Sequence, residues 1–147
     1  MNYFRPLYPF LLVWILLLST QTFATMSLVN GIGQLVLFAF VVCLPLWRTG
    51  RMSYVDIGWP TGLVLLGGFS YYFGEGYALR SLVVSLLVIL VGARMSLGAI
   101  KLWRMGYLQQ ELTRYQYQHR RWERDGKTNV HLAQQIDAIA QGLANAS

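Results

Sequence analysis

Charge is scarce in this chain: only 12% of its 147 residues are Asp, Glu, Lys or Arg, about half the share of an ordinary soluble domain. Apolar residues make up 55%, more than a water-soluble fold of this size has interior to hide. Cysteine is nearly absent. The single Cys43 lies in an apolar run, which excludes a disulfide framework, a CxxC redox pair and a thiolate metal cluster. The two histidines, His119 and His131, have neither HExxH nor HxxxH spacing, so no metal site is expected. The chain also lacks GxGxxG, GxxxxGK[ST] and GxSxG strings, and Gly31-Ile32-Gly33 has no third glycine. The soluble nucleotide-binding and hydrolase motifs are therefore missing.

What is present is long uncharged stretches. A helix needs about 20 apolar residues to cross a hydrocarbon core of about 30 Å, and residues 7–24, 28–47, 57–73 and 82–103 fit that demand. The third is glycine-rich, and the fourth carries Arg94 and Lys101 towards its end. The reading is an all-α, polytopic transmembrane helix bundle of four spans forming one membrane domain over residues 1–147.

The charges of the connecting segments alternate. Arg5 precedes the first run, none lies in 25–27, Arg48 and Arg51 follow the second, and Glu75 and Arg80 follow the third. Lys101, Arg104, Arg114, Arg120, Arg121, Arg124 and Lys127 come after or at the end of the fourth. By the positive-inside rule both termini are cytoplasmic, with the location the cell (inner) membrane. A competing reading takes the amino terminus as a cleaved signal peptide, ending near Thr22-Phe23-Ala24; the carboxy terminus stays cytoplasmic in that case too.

Beyond Arg104 the chain turns polar and basic. Leu108, Leu112, Tyr115, His119 and Trp122, spaced four and three apart, share one helical face, so residues 106–124 read as an amphipathic helix at the cytoplasmic interface. Asp125-Gly126 ends it. Residues 130–145 read as a short terminal helix with Leu132, Ile136, Ile139 and Leu143 on one side, too polar for a fifth span; the sequence gives that helix no natural stop.

Among residues able to carry chemistry, Arg94 stands out, because an ionised side chain inside a span costs a few kcal/mol without a partner. It lies roughly 13 Å above the cytoplasmic end of its helix. Asp56, at the start of the third span, is the expected partner, either as a structural salt bridge or as part of an anion-binding site. Asp56 also suits a helix cap, and Pro60 a first turn; Gly58 and Gly62 favour close helix packing. Glu111, Arg114, Tyr115, His119 and Glu123 supply acid, base and phenol within one short segment. Arginines interleaved with Tyr115, Tyr117 and Trp122 fit a nucleic-acid surface, but directly after a span anionic lipid is the nearer partner, and no nucleic acid is expected.

Three strings carry a family resemblance: Ser53-Tyr54-Val55-Asp56-Ile57-Gly58-Trp59, then Gly92-Ala93-Arg94-Met95-Ser96-Leu97, then Glu111-Leu112-Thr113-Arg114-Tyr115 with Arg121-Trp122-Glu123. In order and spacing they resemble uncharacterised bacterial membrane proteins allied to the steroid 5-alpha-reductases, and more distantly to isoprenylcysteine methyltransferases. The resemblance implies a helical membrane fold whose better-known relatives reduce a conjugated carbon–carbon double bond in a lipid with NADPH. It carries over Asp56, Trp59, Arg94, Arg114 and Tyr115 as polar-site or interface positions; with Glu111 from the polar segment these are the cofactor-binding or polar-site candidates, and no catalytic residue is assignable. In the family the cofactor half follows an Arg-x-Pro-Asn-Tyr-x-Gly-Glu-like string downstream, which these residues do not contain. The chain accordingly resembles an amino-terminal portion, completed by a second polypeptide or a homo-oligomer, with the cofactor itself unknown. The alternatives are a non-catalytic assembly protein and, less well supported, a small transporter, for which no membrane-embedded acidic residue is available.

Overall fold

The computed structural model describes residues 3–147. It is all-α, 86% helical, with no strand among the described residues. A short 3-10 turn, Arg5–Leu7, leads into α1, Tyr8–Ser19. Thr20 is extended and reverses the chain into α2, Gln21–Phe38, which passes through a π-helical turn, Ala39–Cys43, into α3, Leu44–Thr49. After a 3-10 turn, Met52–Tyr54, come α4, Val55–Phe73, and α5, Ala78–Arg104. Then follow α6, Thr113–Arg124, and α7, Val130–Ala146.

Among the described residues two helices are long and apolar enough to cross a membrane: the continuous run Gln21–Thr49 and α5. The expected first span is shorter than anticipated. Its helix ends at Ser19, where the Ser19 and Thr20 hydroxyls both donate to the Leu16 carbonyl, and residues 25–27, expected to form a loop, lie within α2. Side chains that bond their own backbone compete with helix propagation, so the break falls at Ser19-Thr20-Gln21. The π turn has its cause in Pro45, which has no N–H for the carbonyl four residues back and whose ring crowds it.

α4 and α5 pair most extensively. They approach through small residues: a Cβ on Gly92 would lie 2.8 Å from the Pro60 carbonyl oxygen and 2.9 Å from the Val64 nitrogen. The buried positions of α5 are Ser85, Gly92 and Ser96, while its leucines and valines face outward.

The terminal helix is the main departure from expectation. α7 packs against α1, α2 and α4 and buries Ala133, Gln134, Ile136, Ala138, Ala140, Gly142, Leu143, Asn145 and Ala146. Leu132 and Ile139, half of its expected apolar face, are exposed. Its polar residues enter the bundle because each has a partner. Gln134 donates to the Gly50 carbonyl (3.0 Å), Gln135 to that of Cys43 (3.1 Å), and Asn145 to that of Trp59 (3.2 Å). In return Asn30 donates to the Asn145 carbonyl (3.0 Å), and Gln34 donates to Asn30 (3.0 Å) and to the Gly62 carbonyl (2.8 Å). Gly62 is required there, since a Cβ would collide with the Asn145 and Gln34 amides.

The amphipathic segment is divided. Tyr107–Gln109 form a 3-10 turn, Gln110 and Leu112 are extended, and α6 starts at Thr113. Tyr115, His119 and Trp122 keep their spacing on α6, but Leu108 and Leu112 lie before it, so the five expected positions do not share one helix. Tyr115 and Trp122 are buried in a cluster with Val42, Leu46, Met52, Val55 and Ala133, and Leu108 is buried in its own 3-10 turn.

Candidate functional site

Asp56 is the second residue of α4. The reading of it as a helix cap is overturned, because its side chain points across to α6. There Tyr115 Oη donates to Asp56 Oδ1 at 2.9 Å, and the Arg114 guanidinium forms an ion pair with the same oxygen. Arg114 also lies over the Tyr115 ring, 4.8 Å from its centroid, where the negative face of the ring favours a cation. Asp56 and Trp59 are one turn apart and share a face of α4. Pro60 is the sixth residue of α4 rather than part of its first turn.

Trp59 Nε1 donates to Gln141 Oε1 of α7 at 2.7 Å, and Gln141 Nε2 donates to Asp137 Oδ2 at 2.9 Å. These side chains border a cavity of about 390 Å³ lined by Val55, Asp56, Trp59, Pro60, Met95, Arg114, Tyr115 and Gln141. Two helices distant in sequence, α4 and α6, thus bring together a carboxylate, an indole N–H, a guanidinium and a phenol, and α7 adds the Gln141 amide. Burial pushes the Tyr115 phenol above its ordinary pKa; the neighbouring Arg114 charge pulls it down, and Glu111 and Asp137 push it further up. The phenol therefore remains protonated through neutral pH and serves as a hydrogen-bond donor.

Four of the six candidates, Asp56, Trp59, Arg114 and Tyr115, meet at this cavity. Glu111 lies beside it with a different task. Its carboxylate accepts the Met52 N–H (2.8 Å) and the Ser53 hydroxyl (2.9 Å), while Arg51 donates to the Leu108 carbonyl (3.0 Å). These bonds fasten the 107–112 segment to the turn before α4, which sets where α6 begins.

Arg94 stands apart, and the expected Arg94–Asp56 pair does not form. Ser85, Gly92 and Ser96 face α4, and at 100° per residue Arg94 lies about 200° from Gly92, on the exposed opposite side. Asp56 takes Arg114 in its place. His119 lines a separate polar pocket with Arg51, Glu111, Arg120 and Glu123. No group of His, Cys, Asp and Glu suited to a metal ion occurs among the described residues.

The residues that sequence reasoning missed are Asp137, Gln141, Asn145, Asn30 and Gln34. Their signal was a four-residue spacing: Asp137, Gln141 and Asn145 form a stripe on α7, and Asn30 and Gln34 a pair in α2. Amides repeated at one helical turn in an otherwise apolar segment mark a protein-facing side.

No curated protein and no solved structure matches the chain. One family model does, and it spans residues 39–144, from the π turn to the end of α7. It therefore contains every residue of the cavity and the α6 docking segment, and on that match the chain belongs to the family described as protein of unknown function DUF1295.

Proposed function

We propose that this chain is the lipid-binding portion of a membrane oxidoreductase of the kind its motifs resemble, with four membrane-embedded segments and both termini on the cytoplasmic side of the cell membrane. The inside-out character of α5, which buries only Ser85, Gly92 and Ser96 and turns Leu87, Leu90, Val91 and Leu97 outward, supports a lipid environment. α4 contributes a third span of 19 residues, about 28 Å long, and α1 enters beside α2. The uncharged turn at Thr20 then lies outside, and Arg48, Arg51, Lys101, Arg104 and α6 lie inside, as the positive-inside rule prefers.

The observation that carries the functional reading is the convergence of Asp56, Arg114, Tyr115, Trp59 and Gln141 on one cavity at the cytoplasmic end of α4. A protonated phenol beside an indole N–H suits the carbonyl end of an amphipathic lipid, its apolar remainder lying along Val55, Pro60 and Met95. Tyr115 turns its proton from Asp56 towards the carbonyl oxygen, and the Arg114 ion pair holds the Asp56 carboxylate in place. The described lining of this cavity does not fit NADPH. Among the described residues its only cation is Arg114, already paired with Asp56, and no glycine-rich turn at the cavity provides backbone N–H groups for a diphosphate.

The test uses the chain in mild detergent with a long-chain α,β-unsaturated ketone, followed by quenching of tryptophan fluorescence. Saturable quenching, weakened about tenfold in Tyr115→Phe by loss of the hydrogen bond, is expected. A ketone and its parent hydrocarbon binding equally well would overturn the reading. NADPH added to the chain alone is expected to give no saturable energy transfer; saturation that Arg114→Ala weakens would move the cofactor site into this chain.

A further inference from the structure

Arg94 occupies a position that neither the fold nor the cavity explains. It lies seven residues before Lys101, the first cation of the cytoplasmic end of α5, about 10 Å along the helix and so well inside a core about 30 Å thick. It is exposed. Among the described residues no carboxylate pairs with it and no hydrogen bond reaches it. A guanidinium in hydrocarbon needs a counter-charge or a path to water. Around it the same side of α5 presents Val83, Leu87, Leu90 and Leu97 to the exterior. Gly98, one turn further on, has nothing within 4 Å of its Cβ position, which leaves a notch where a second backbone can come close.

We infer that the Arg94 face of α5 docks a transmembrane helix of a partner chain that carries a carboxylate at the same depth. A second copy of this chain does not supply it. Of the six acidic residues, Asp56 is held by Arg114 and Tyr115, Glu111 by Met52 and Ser53, and Asp137 by Gln141. Glu75 lies in the α4–α5 connection, and Glu123 and Asp125 at the end of α6. None lies on an outward face of a spanning helix. Met95, the residue after Arg94, lines the cavity, so a helix seated on Arg94 would also wall the cavity on its α5 side. The inference rests on the membrane reading of α5 and not on the reductase reading, and neither ketone nor NADPH enters its test.

The probe is a synthetic apolar helix of about 20 residues with one central Glu, compared with its Gln counterpart. Each carries an energy-transfer acceptor for the tryptophans of the full chain in phosphatidylcholine vesicles. The Glu peptide is expected to associate at least about fivefold more tightly. Arg94→Leu, checked for helicity by circular dichroism, removes that preference, whereas Arg48→Gln keeps it. Equal association of the two peptides, or a Glu preference that survives Arg94→Leu, overturns the inference. So does a preference that vanishes when phosphatidylglycerol replaces half the lipid, since a headgroup phosphate is then what Arg94 holds.

Discussion

α5 and α7 invert the rule that apolar helices are buried and polar ones exposed. α5 is rich in leucine and valine, yet only Ser85, Gly92 and Ser96 are buried. α7 carries Gln134, Gln135, Asp137, Gln141 and Asn145, yet it is the helix enclosed by α1, α2 and α4. Lipid is as apolar as leucine and offers no hydrogen bonds, so leucines gain little from protein neighbours while amides need them. In such a solvent polarity selects the interior. The contrast teaches that α7 is held by directional bonds and α5 by the shape of its small residues.

The largest expected effect comes from breaking that shape where it meets the amides. Gly62→Val places methyl groups among Asn145 and Gln34 and should lower stability by about 3 kcal/mol or more, read as thermal unfolding in detergent. Gly98→Val, on the open side of α5, should cost no more than about 1 kcal/mol. Next, Asn145→Leu leaves the Trp59 carbonyl without its donor and should cost about 1–2 kcal/mol. Tyr115→Phe, which removes the bond to Asp56, should cost about 1 kcal/mol at neutral pH.

Tyr115 also has a pH signature. Its folded pKa is raised, so the folded state holds the phenolic proton more tightly than the unfolded chain does. That contribution is complete below about pH 10 and is lost as pH rises from there through the folded value. Tyr115→Phe should therefore decline less steeply in alkali than the wild type. The smallest effect is expected at Leu87, which is 58% exposed on α5: Leu87→Ala should change stability in detergent by within about 0.5 kcal/mol. A large loss there would mean that α5 is packed against protein even in isolation.

The helical class and most helix positions were legible, because long apolar runs and the 4-3 stripe of α6 are local signals. The pairing of Asp56 with Tyr115 and Arg114 was legible only as a set of residue types; the distance between them in sequence hides which carboxylate meets which cation. Arg94 shows why. Its depth along α5 was readable by counting, but its direction depends on which face meets α4, and that is settled by Gly92 and Ser96. The helix α7 was legible, but its buried face was not: Leu132 and Ile139 are exposed, while its amides find partners in the backbone carbonyls of Gly50, Cys43 and Trp59. The break after α1 was missed because the hydroxyls of Ser19 and Thr20 act locally, within a stretch that hydropathy reads as continuous.

The unequal helix lengths have a consequence for the surrounding bilayer. α1 has 12 residues and α5 has 27, about 18 Å against about 40 Å, and they pack at different sites in the bundle, one on α2 and the other on α4. In the four-segment arrangement proposed above, acyl chains beside α1 would shorten or splay to meet it, while α5 would tilt or draw its neighbours longer, each at a fraction of a kcal/mol per Å. The protein would then be a wedge in membrane thickness, with lipids of different chain length sorting around its perimeter, short beside α1 and long beside α5.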